Sequence, residues 1–124
     1  NQFVLQLLTR PLDLDSNGEY DALTDGLLLL RRMFGLTGDA LVSGVIADNS
    51  AYPYPDDVER HFNILDDLID IDGDGSIDAL RDGLVTLRYL FGLRGEVLID
   101  DVISNSASRK SSAEVEARIE LLVP

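Results

Sequence analysis

Apolar residues between positions 56 and 69 stand at Val58, Phe62, Leu65 and Ile69, the i, i+4, i+7, i+11 spacing of one helical stripe. The spacing recurs at Leu23, Leu27, Leu30 and Phe34, and again at Leu80, Leu84, Leu87 and Phe91. Gly35 and Gly92 then fall where a left-handed helix cap is expected, with Leu36 and Leu93 behind them as the usual apolar contact. Shorter helices fit residues 39–47 and 96–104, and Ser111 with Glu114 reads as a capping box opening a last helix up to Val123. Residues 49–55 and 104–112 are polar connectors. No segment alternates convincingly between apolar and polar, so the pattern predicts an all-α fold.

Shifted against itself by 57 residues, the chain matches without a gap. Residues 21–36 read DALTDGLLLLRRMFGL and residues 78–93 read DALRDGLVTLRYLFGL. Identity at 19 of 57 positions makes internal repetition the organising feature, ahead of any local propensity. The expected organisation is one domain over 1–124, built from repeat 1 (1–57) and repeat 2 (58–114). Val58-Glu59 recurs as Val115-Glu116, so 115–124 reads as a partial third repeat or a C-terminal helix. The chain starts without Met and stops three residues before a third loop would open, the pattern of a piece of a longer array or of a degenerate last repeat.

The segment ahead of each repeated helix carries the chemistry. In DIDGDGSIDALRD, carboxylates stand at loop positions 1, 3, 5 and 9 (Asp70, Asp72, Asp74, Asp78), Gly75 takes the sharp turn at position 6, and Ser76 offers its carbonyl at position 7. DLDSNGEYDALTD repeats this with Asp13, Asp15, Asn17, Gly18, Glu19 and Asp21. Alternating oxygen donors around a glycine turn suit calcium, a hard cation taking six to eight oxygens at about 2.3–2.6 Å, whereas magnesium prefers a water-rich octahedron. The expectation is two calcium ions in two EF-hand-like loops. Position 12, where such loops usually place a closing Glu, holds Thr24 or Arg81, and a guanidinium cannot ligate a cation. The next acid is Asp25 or Asp82, at position 13 in both, and these two are assigned the closing role, directly or through water. Apolar bulk at position 8, Tyr20 and Ile77, predicts that the loops face each other through a short bridge.

Composition narrows the field. Asp and Glu number 23 against 10 Lys and Arg, a formal charge of −13, which repels nucleic acid and anionic membranes and attracts cations. No stretch approaches the length of a membrane span, so no membrane insertion is expected, and the lack of Cys rules out thiolate metal sites. A single His, read as a helix-surface residue at His61, leaves nucleophilic triads unsupported, and no phosphate- or dinucleotide-binding glycine pattern occurs. The chain is therefore expected not to be an enzyme. Tyr52-Pro53-Tyr54-Pro55 reads as a stiff linker.

A calcium loop D-x-D-x-D-G-x-x-D running straight into an amphipathic helix resembles the dockerin repeats of secreted, modular bacterial proteins, and residues 13–38 and 70–95 carry the likeness. The resemblance implies paired loops, a secreted or cell-surface location and, in dockerins, docking onto cohesin modules. The favoured expectation is a structural calcium module of a multidomain protein, and the alternative is a docking or adhesion module binding a cohesin-like or neighbouring domain. A calmodulin-like sensor fits less well, because Met33 is the only Met available for a target groove.

Overall fold

A computed structural model describes residues 2–124. Seven α-helices carry the described chain: α1 (Gln2–Thr9), α2 (Leu27–Met33), α3 (Gly38–Val42), α4 (Pro55–Leu65), α5 (Leu84–Leu90), α6 (Glu96–Ile99) and α7 (Ser112–Glu120). No strand forms among the described residues, as the absence of alternation predicts. Two π-helical turns, Ala22–Gly26 and Ala79–Gly83, run directly into α2 and α5, and a 3-10 turn, Asp66–Ile69, follows α4.

The elements after each loop recur 57 residues apart and pack alike. Helix α3 lies on α2 and α4, and α6 lies on α5 and α7. Glu59 on α4 accepts a hydrogen bond from the Gly38 amide (3.4 Å), and Glu116 on α7 accepts one from the Gly95 amide (3.0 Å). The two halves meet where α2 touches the second π turn and α5 touches the first. Small residues allow this approach. A Cβ on Gly26 would meet Leu87 Cδ1 at 2.7 Å, and one on Gly83 would meet Leu30 Cδ1 at 2.8 Å. One apolar cluster results, running from Phe3 and Leu7 through Leu28, Leu29 and Val85 to Ile119 and Leu122.

Several expectations need correction. The helices at 39–47 and 96–104 are cut to Gly38–Val42 and Glu96–Ile99. Both stop where the chain turns left-handed, at Gly44 (φ 75°) and Asp101 (φ 60°), and Arg31 donates to the carbonyls of Ala40, Leu41 and Ser43 near the first of these ends. Arg88 does the same at Val97, Leu98 and Asp100. The expected stripe on α2 and α5 is also out of phase. Leu23, Phe34, Leu80 and Phe91 are 55–58% exposed, while Leu28, Leu29, Val85 and Thr86 are buried. A π turn holds more residues per turn than an α-helix, so the face that meets the core rotates between Leu23 and Leu28.

His61 is not on the surface. It is fully buried, its Nε2 lies 2.6 Å from the Pro11 carbonyl oxygen, and the edge of its ring meets Phe3. Its place on the Val58–Leu65 stripe, three residues after one and four before the other, was a signal for burial. Helix α1, not expected from the pattern, packs Phe3 against Tyr52 (4.9 Å between centroids) and beneath the Arg60 guanidinium (4.0 Å). Tyr52 thus packs on α1 instead of standing in a bare linker, and Tyr54 is exposed. The last helix follows its expected start, with the Ser111–Glu114 capping box formed, and ends at Glu120.

Candidate metal centres

Each loop is a coil wound around its own carboxylates. Gly75 has φ 88° and Gly18 φ 87°, the left-handed conformation that the turn at position 6 demands. With the chain folded back there, the Gly75 amide donates to Asp70 Oδ2 (2.9 Å) and the Gly18 amide to Asp13 Oδ2 (2.9 Å). The position-5 side chains accept from the amide two residues on: Ser76 N to Asp74 Oδ1 (2.9 Å) and Glu19 N to Asn17 Oδ1 (3.0 Å).

The closing acids reach the loops by way of the π turns. Asp21 and Asp78 cap these turns, accepting from the Leu23 and Leu80 amides at 2.8 and 2.9 Å. The amides of Gly26 and Gly83 then donate five residues back, to the Asp21 and Asp78 carbonyls (3.1 and 3.2 Å). A closing acid at position 13 instead of 12 would sit about 100° too far round an α-helix. The π turn absorbs the extra residue, so the helix does not have to begin later. Asp82 accepts from the amides of Ile71 (2.8 Å), Asp72 (3.4 Å) and Asp78 (2.9 Å), and Asp25 accepts from Asp15 (3.3 Å) and Asp21 (2.9 Å).

Two clusters of carboxylates result. Asp70, Asp72, Asp74 and Asp82 each bring one oxygen within 4.8 Å of the others, as do Asp13, Asp15 and Asp25. Of the remaining expected ligands, Asp21 and Asp78 are occupied as caps, and Asp78 also lies 3.7 Å from Arg81 Nε. Asn17 takes the turn position that Asp74 takes in loop 2, and Glu19 and Ser76 follow with their amides turned to that side chain. The bridge expected between Tyr20 and Ile77 is not made. The Tyr20 hydroxyl donates to the Pro124 carbonyl (3.3 Å), and its ring lies under the Arg10 guanidinium (4.3 Å).

Connector residues hold each cluster from outside. The amide of Ala47 donates to Asp15 Oδ2 and that of Ser104 to Asp72 Oδ2, both at 2.9 Å and both from 32 residues downstream. Ser50 Oγ donates to the Asp15 carbonyl. Arg109 donates through Nε to the Ile71 carbonyl (2.8 Å) and through a terminal nitrogen to that of Asp70 (2.7 Å). Backbone amides leave no side-chain signal, so Ala47 and Ser104 could not have been found from the sequence.

Charge makes these clusters unstable by themselves. Burial pushes Asp25 up to about 9 and Asp82 up to about 7, the neighbouring carboxylates adding to the rise and the backbone donors opposing it. Asp15 and Asp72 are raised for the same first cause, whereas Asp74, nearer to solvent, is lowered by the Ser76 amide. Asp15 Oδ1, Asp70 Oδ1 and Asp72 Oδ1 are buried and accept no hydrogen bond. A buried anionic oxygen without a donor is costly, and a bound cation is one way to satisfy it, so the residues present fit a hard metal ion at both clusters.

The helical fold and the two carboxylate clusters must stand on their own, since no known family, curated protein or solved structure matches this chain.

Proposed function

We propose that the chain is a calcium-dependent structural module of a secreted or cell-surface protein, ordered by two ions in its EF-hand-like, dockerin-like loops. The observation that carries this reading is the set of buried carboxylate oxygens without donors, Asp15 Oδ1, Asp70 Oδ1 and Asp72 Oδ1, one or more in each cluster. Asp13, Asp15 and Asp25 would hold one ion and Asp70, Asp72, Asp74 and Asp82 the other, with Asn17 beside the first and the carbonyls of Glu19 and Ser76 available at position 7. A bound ion would neutralise the clustered charge and tie each loop to the helix that leaves it. Millimolar extracellular calcium keeps even weak sites of this kind filled. No catalytic role is proposed.

Calorimetric titration with calcium tests the reading. Two binding events are expected, with Asp15→Asn and Asp72→Asn each removing one. A chain that takes up no calcium, or takes up magnesium equally well, would overturn it.

One observation favours a second reading, a docking module for a cohesin-like or neighbouring domain. Leu23 and Phe34 in one half, and Leu80 and Phe91 in the other, expose apolar surface at equivalent positions. Under this reading, a Leu80→Ser, Phe91→Ser variant keeps its calcium binding and loses a cohesin-type partner. Unaltered partner binding would remove docking through this surface.

A further inference from the structure

The two clusters differ in how fully their first carboxylate is already satisfied: loop 1 adds one donor of its own, Asn17 N, and two from outside it, Gln6 and Arg10. In loop 2, Asp70 Oδ2 accepts one amide, that of Gly75, and Oδ1 is left without a donor. In loop 1, Asp13 Oδ2 accepts three donors: Gly18 N (2.9 Å), Gln6 Nε2 (3.2 Å) and Arg10 Nε (3.4 Å), while Oδ1 accepts Asn17 N (3.1 Å). Gln6 lies on α1 and Arg10 just past its end, and both reach Asp13 across the turn at Pro11 and Leu12. Gln6 is fixed in turn by Ser16 Oγ, which donates to its Oε1 (2.9 Å), and Arg10 is fixed over the Tyr20 ring. Fifty-seven residues later the same positions hold Asn63 and Asp67, and the guanidinium that does bond loop 2, Arg109, donates to the carbonyls of Asp70 and Ile71 and not to a carboxylate.

We infer that Arg10, assisted by Gln6, is an internal counter-cation for loop 1 that competes with the metal for Asp13 and makes loop 1 the weaker, later-filling site. This rests on the proposed calcium function and adds its regulation. A guanidinium on a buried carboxylate lowers the gain available to an incoming cation and leaves two positive charges close together once the ion is bound. Loop 2 therefore fills first, and loop 1 responds to a higher calcium range set by α1. Arg10 is a positioning and tuning residue, not a ligand.

Terbium(III) luminescence in the full chain tests this, because Tyr20 lies in loop 1 and can sensitise terbium there, whereas loop 2 carries Ile77 at that position. Calcium then competes the signal away, and midpoints are read instead of amplitudes, since Tyr20 also touches Arg10. Arg10→Gln, which keeps length and removes charge, should tighten calcium at loop 1 about three- to fivefold. The gain should shrink as salt rises. Lys110→Gln removes the same charge without this contact and should leave the midpoint in place. An unchanged or weaker loop 1 in Arg10→Gln, or an equal gain in Lys110→Gln, would overturn the inference while leaving calcium binding intact. Absence of both terbium emission and calcium heats in the unaltered chain would instead remove the proposed function, and this inference with it.

Discussion

Loop 1 and loop 2 share a frame and differ in what surrounds it. Loop 2 is braced from behind, Arg109 holding the carbonyls of Asp70 and Ile71, and its first carboxylate keeps one oxygen without a donor. Loop 1 has Tyr52 where loop 2 has Arg109, and Tyr52 packs on Phe3 instead of the loop backbone. Its first carboxylate accepts from Gln6 on α1 and Arg10 just past it, besides two amides of the loop. Under the proposed calcium function, a loop's readiness for the ion is set as much by the segments packed on it as by its own carboxylates. The same spacing of carboxylates is thus kept in both loops while their first carboxylates are satisfied unequally.

The largest effect on this comparison should come from removing the metal altogether. With calcium about a hundredfold above its dissociation constant, each site adds about 2.7 kcal/mol of stability. Excess chelator should therefore lower the melting temperature by of order 10 °C for each saturated site, with loss of helical circular dichroism at intermediate temperatures. Unchanged melting would show that neither loop depends on a cation.

Next come the closing acids. Asp82→Asn should weaken loop 2 by about tenfold or more, and Asp25→Asn should do the same to loop 1, because each takes away a carboxylate that can ionise against a bound cation. Asp101→Asn, an acid just past α6 and outside both clusters, serves as the control and should change neither site. Equal calorimetric affinities for Asp82→Asn and Asp101→Asn would show that closure comes from elsewhere.

Proton linkage sharpens the contrast further. Asp25 and Asp82 titrate above the ordinary carboxyl value of 3.8 in the folded chain, at about 9 and about 7. Their contribution to stability without metal is thus fully present below about 3.8 and lost as pH rises, through about 7 in loop 2 and about 9 in loop 1. The chelated protein should melt progressively lower across that range. With calcium present the protons must leave, so affinity should fall on acidification, starting from higher pH at loop 1 than at loop 2. His61 acts with the opposite sign: burial holds its pKa below 6.5, so its contribution is present above that value and lost as pH falls through the lowered one. A His61→Gln background separates the two. Identical pH profiles for the two loops would erase the distinction drawn between their closing acids.

The smallest expected effect concerns the bracing. Arg109→Ala should cost about 1–2 kcal/mol of stability and weaken loop 2 alone, since two carbonyls lose their donors. Tyr52→Ala, at the equivalent position, should lower the melting temperature through lost packing on Phe3 without selectively weakening loop 1. Selective weakening of loop 1 by Tyr52→Ala in a calcium titration would show that both connectors brace their loops alike.

Helix class, the repeated frame, the glycine turns and the carboxylates that gather were all legible in the sequence. Each depends on residue type and local spacing: Gly18 and Gly75 need no partner to favour a left-handed turn, and Asp-x-Asp spacing puts oxygens on one side of it. That the acid joining each cluster stands at position 13 was also legible, because Thr24 and Arg81 hold position 12. How Asp25 and Asp82 come back to the loop was not. That depends on a π turn, which no propensity announces and which packing across Gly26 and Gly83 accompanies. The same turn rotates α2 and α5, exposing Leu23 and Phe34 where an uninterrupted period placed them inside. Burial of His61, the amides of Ala47 and Ser104 on the carboxylates, and the hold of Arg10 on Asp13 join residues far apart in the chain or beyond a helix end. Sequence alone determined which oxygens could serve a cation, because that is chemistry carried by each residue. Only the tertiary structure decided which oxygens remain free for one, because a carboxylate's remaining capacity is set by the donors that packing brings to it.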